Sequence, residues 1–132
     1  MRLLQKSSLL IFIPAIVSIM YGQAPNAIIN AALGATSVWH HTKYTNMSLL
    51  LDRIMICVFT CRLLHITYSN YIAQLLLLMG YTYLFYSYIY GYYNQCYCFH
   101  RDLTKSERYH AVNHLSAALL PSIFIIWNGG SN

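Results

Sequence analysis

Five residues of this chain have types and spacing suited to metal chemistry. Ser37, His41 and Asp52 stand near the middle, and His110 and His114 near the end. Three imidazoles and a carboxylate form an ordinary zinc donor set. Each lies at the edge of an apolar stretch, where ionisable groups are costly and usually have a function. Ser37 and His41 are four residues apart, as are His110 and His114, so each pair shares a helix face. A histidine pair at that spacing can grip zinc with both rings. His41 from a facing helix completes three nitrogen ligands. The fourth position stays open for water, the pattern of catalytic rather than structural zinc. Zinc lowers the pKa of such a water toward about 7. Asp52 then accepts or orients its proton, and Ser37 hydrogen-bonds the oxyanion developing on a substrate carbonyl.

Plainer readings compete. A histidine at a membrane edge can be a polar cap, and His40, His65 and His100 are read that way. His40 adjoins His41 but projects about 100° away around the helix, so it is the weaker ligand. Asp52 could pair with Arg53 without a metal. A histidine pair could also hold haem, which leaves Ser37 and Asp52 without a role. Cys57 and Cys61 suit small packing positions in an apolar helix. Cys96, Cys98 and His100 form a short cluster without a nearby fourth ligand.

The elements that must position these residues are apolar helices. Of 132 residues, 58% are hydrophobic and only 8% charged, against roughly 25% charged in a soluble domain. The expected fold is a single all-α integral membrane domain over 1–132, a bundle of about five transmembrane helices. The helices are placed near 8–21, 25–41, 47–66, 70–90 and 109–127, each close to the ~20 residues a crossing needs. The segment 8–21 also fits a signal peptide, with Gly22-Gln23-Ala24 as its cleavage region. Ala31, Ala32, Gly34, Ala35 and Ser37 make the second helix closely approachable. The 13 tyrosines, many of them in YTYLFYSYIYGYY, suit a membrane interface and a lipid-facing surface. Thr104 and Glu107 form a capping-box pattern that would open a helix before His110.

The net charge of +5 is spread over loops, so nucleic acid is not an expected partner. Arg2, Lys6, Lys43, Arg101, Lys105 and Arg108 fall on one side of five alternating helices, which places that side and the N-terminus in the cytoplasm. His41, Asp52, His110 and His114 then share that cytoplasmic membrane face. The sequon Asn46-Met47-Ser48 lies there too and is expected to carry no glycan.

The stretch GATSVWHHTKYTNMSLLLDRIMI resembles the second and third helices of the alkaline ceramidase family, within the CREST superfamily of membrane hydrolases. RYHAVNHLSAAL matches the final helix of that family through His110 and His114. The resemblance covers about a third of the chain. It implies that His41, His110 and His114 hold zinc, that Asp52 and Ser37 act on water and carbonyl, and that a lipid amide is hydrolysed. The family has seven helices where this chain has room for about five. One helix instead of three separates the aspartate helix from the last, and an odd number keeps the last helix pointing the same way. The N-terminal MRLLQKSS lacks the family's acidic calcium-binding segment, so calcium is not carried over. Lipid, a second copy or a larger membrane complex would complete the wall of the site. A reading of another class makes the chain a small, non-catalytic structural or accessory subunit of a membrane complex.

Overall fold

Pro14 has no N–H to offer the carbonyl of Leu10. The first helix responds by tightening. It is α-helical over Leu3–Ser8, turns through a 3-10 stretch at Leu9–Phe12, and resumes as α-helix over Ile13–Met20. Within the tight stretch the Ile13 N–H bonds to the Leu10 carbonyl instead. These pieces form α1, Leu3–Met20. Four more helices follow: α2 Ala24–Lys43, α3 Asn46–Thr67, α4 Tyr71–Asn94 and α5 Leu103–Gly129. The computed structural model describes residues 3–129, and these are all helix and short connection. Arg2 of the basic start lies outside the described residues.

The α2–α3 hairpin turns on two residues. Tyr44 takes the left-handed conformation (φ 43°), and its N–H closes α2 on the His40 carbonyl at 2.9 Å. Glycine is the usual residue at such a helix end. Here the Tyr44 ring meets those of His40 and His41 edge-on. Thr45 then opens α3 with a capping box: its Oγ1 accepts the Ser48 N–H, and Ser48 Oγ accepts the Thr45 N–H. So short a turn sets the end of α2, bearing His41, beside the first turns of α3, bearing Asp52.

α5 begins earlier than the Thr104 pattern predicts. Asp102 is its cap, with Oδ1 accepting from Thr104 N at 2.9 Å and Lys105 N at 3.4 Å. The Lys105 and Thr104 N–H groups hold the exposed Asp102 carboxyl below its ordinary pKa. An aspartate just ahead of the threonine offers a charged acceptor to the first free N–H groups, so the helix opens there and Thr104 lies within its first turn. His110 is therefore held in the body of α5 rather than at its first turn.

Three helical segments are long and apolar enough to cross a membrane: Leu3–Met20, Tyr71–Phe99 and Leu103–Trp127. α2 and α3 have the length, with 20 and 22 residues, but carry more polar groups. Asn26, Asn30, His40, His41 and Lys43 interrupt α2, and Asp52, Arg53, Arg62 and His65 interrupt α3. Much of the buried interior is polar and much of the exposed surface is apolar. Ser7, Ser18, Asn30, Ser37, His41, Asp52, Thr67 and His114 are buried, while Ile16, Ile19, Ile28, Leu64, Leu78 and Phe85 are exposed. Water would not favour that distribution, whereas lipid would. An apolar cluster of Ile11, Leu33, Phe59, Leu63, Ala73, Leu77 and Phe124 ties all five helices together.

α1 packs on both α2 and α5. Its approach to α2 depends on Gly34, where an added Cβ would lie 3.0 Å from the Phe12 ring. Replacing Gly34 with leucine should destabilise the protein by about 1–3 kcal/mol, the usual range for overpacking. Thermal unfolding in detergent measures this, and an unchanged midpoint would contradict the close contact.

Candidate metal centre

α2 and α5 bring together three histidines far apart in the chain. Ring nitrogens of His41, His110 and His114 lie within 4.8 Å of one another. His41 and His114 are buried and His110 is half-buried. The three rings form a triangle with centroid separations of 4.9, 5.0 and 5.1 Å. His41 Nε2 and His114 Nε2 are 3.2 Å apart. Two nitrogens bound to one tetrahedral zinc at about 2.0–2.1 Å would be separated by about 3.3–3.4 Å. The pair is thus already close to the bite of a single ion, and the donor set suits zinc. His41 Nδ1 is buried without a hydrogen-bond partner among the described residues. The triad fits a metal ion.

The neighbours of the triad come from helices whose contribution the spacing does not reveal. Ser7 of α1 places its Oγ 2.8 Å from His114 Nδ1. Tyr88 of α4 places its hydroxyl 3.1 Å from His110 Nε2. Gln5 Nε2 donates to the His41 carbonyl at 3.4 Å. Serine and tyrosine are common in this chain, so nothing in their local pattern singles out Ser7 or Tyr88. Metal-binding histidines usually engage a partner through the second ring nitrogen, which is the one general signal that could have prompted a search for them.

Ser37 and Asp52 are both buried, on α2 and α3. Ser37 lies one turn before His41 on the same helix face. Asp52 is within electrostatic range of His40, Arg53 and Tyr88. No hydrogen bond among the described residues joins Ser37 or Asp52 to the triad. The Arg53 guanidinium lies over the Tyr88 ring, 5.5 Å from its centroid. His40 stays outside the triad, with its Nδ1 3.5 Å from Ser48 Oγ. Cys98 Sγ accepts from Asn113 Nδ2 at 3.2 Å, and Cys96 and His100 form no metal cluster with it among the described residues.

The fold and the centre together define an all-helical bundle of five helices, three of them long and apolar enough to cross a membrane, with a buried histidine triad that could bind a metal ion. Comparison with protein-family models, curated proteins and solved structures finds no match to this chain.

Proposed function

We propose that this protein is an integral-membrane zinc hydrolase that cleaves an amide bond of a lipid, in the manner of the alkaline ceramidases its motifs resemble. The observation that carries this reading is the buried triad of His41, His110 and His114, contributed by two helices. Those residues would hold zinc. When bound, zinc supplies Lewis acidity, polarising a carbonyl and making water a usable nucleophile near neutral pH. The other roles fall to the chain itself. The Asp52 carboxylate takes up or directs the proton released from water. The Ser37 hydroxyl, one turn from His41, donates a hydrogen bond to the carbonyl oxygen as negative charge gathers there. The apolar exterior keeps a lipid substrate beside the centre. In this reading the N-terminus and the metal centre face the cytoplasm.

Metal content and turnover measured on one purified preparation test the proposal. Protein in detergent should carry about one zinc per chain, release a fatty acid from an N-acyl lipid, lose that activity to a chelator and regain it with zinc. Protein free of zinc that takes none up would overturn the proposal.

One observation favours a second reading. An open apolar groove runs along α4, lined by Leu78, Tyr81, Phe85, Ile89, Tyr90 and Tyr93, and none of the triad lines it. A surface of that kind suits a subunit packed into a larger membrane assembly. In that case the purified chain should hold zinc without turnover and should be isolated with partners.

A further inference from the structure

We infer that Ser7 is a positioning residue of the metal centre, which makes α1 part of the site. The inference rests on the zinc reading above and deepens it. His114 has both ring nitrogens engaged: Nδ1 lies 2.8 Å from Ser7 Oγ, and Nε2 lies 3.2 Å from His41 Nε2. The Leu4 carbonyl, 3.1 Å from Ser7 Oγ, is a second acceptor within reach of the hydroxyl proton. An imidazole that holds a metal through Nε2 carries its proton on Nδ1, and Ser7 Oγ is placed to accept that proton while its own is directed to Leu4. Nε2 is then left as a lone pair aimed at His41 Nε2, the form in which an imidazole binds a metal. Ser7 is buried, at 6% exposed, so water does not compete for the bond. A partner of this kind fixes both the tautomer and the ring orientation of a ligand.

The adjoining Ser8 provides an internal control. It is fully buried and its Oγ donates to the same Leu4 carbonyl at 2.7 Å, but among the described residues it has no bond to a histidine. The test compares zinc affinity, by competition with a chromophoric chelator, in the full-length wild type, Ser7→Ala, Ser7→Thr and Ser8→Ala. Ser7→Ala should bind zinc about 10–100-fold more weakly, the range for loss of a partner behind a metal ligand. Ser7→Thr keeps the hydroxyl and should restore near-wild-type affinity, and Ser8→Ala should match the wild type. The absorption spectrum of cobalt-loaded protein should change in Ser7→Ala alone, while all metal-free variants melt together. Wild-type affinity in Ser7→Ala, with the ion still lost in His114→Ala, would overturn the inference and leave the zinc reading intact. Equal weakening in Ser7→Ala and Ser8→Ala, or no rescue by threonine, would also overturn it by assigning Ser7 to packing. Absence of zinc from the wild type would overturn both.

Discussion

Purified His114→Ala protein should contain no stoichiometric zinc, whereas His40→Ala protein should retain it. The loss should exceed the ~10–100-fold weakening expected when only a ligand's hydrogen-bond partner is removed. His114 is the central member of the triad by its contacts: its Nε2 faces His41 Nε2 and its Nδ1 is held by Ser7. Its replacement leaves two nitrogens from different helices, too few for a closed or catalytic zinc centre. His41→Ala and His110→Ala should behave like His114→Ala. Elemental analysis of each variant after gel filtration decides the matter. Equal zinc in His40→Ala and His114→Ala would mean that the triad is not where the ion binds.

Asp52→Asn should separate chemistry from metal binding. The amide is nearly the same size as the carboxylate and cannot act as a base. Zinc should remain at one per chain while lipid-amide hydrolysis falls by about 10²–10⁴-fold, the usual contribution of a positioned acid or base. The burial of Asp52 near Arg53, His40 and Tyr88 argues for a carboxylate kept for a purpose. An isosteric change should leave the fold intact, so circular dichroism should be unchanged. A variant with wild-type turnover would reduce Asp52 to a structural polar group.

The two expectations depend on different kinds of information. Helix periodicity and the spacing of four in Ser37/His41 and His110/His114 are local properties, and they were legible because a helix repeats every 3.6 residues. The apolar segments were legible because lipid accepts only long runs with few charges. Element ends were less so. Asp102, not Thr104, caps α5, because two nearby side chains can each open a helix and their order along the chain does not reveal which one does. The 3-10 stretch in α1 is a backbone response to Pro14 that leaves the apolar pattern unaltered.

The sequence by itself determined the donor types, their pairing on helix faces and the apolar character of the helices that carry them. It also showed that His40 and His41 project about 100° apart and cannot share one face, and the resemblance favoured His41 as the ligand. The loop charges placed His41, His110 and His114 on one membrane face, but tertiary structure alone decided that His41 Nε2 comes within 3.2 Å of His114 Nε2, with α2 and α5 both packed on α1. It alone recruited Ser7 from α1 and Tyr88 from α4. The physical reason is that a metal centre is built from lone-pair directions. Spacing along a helix fixes which face a side chain occupies, but the packing of other helices fixes where its nitrogen points and which hydroxyl holds it there.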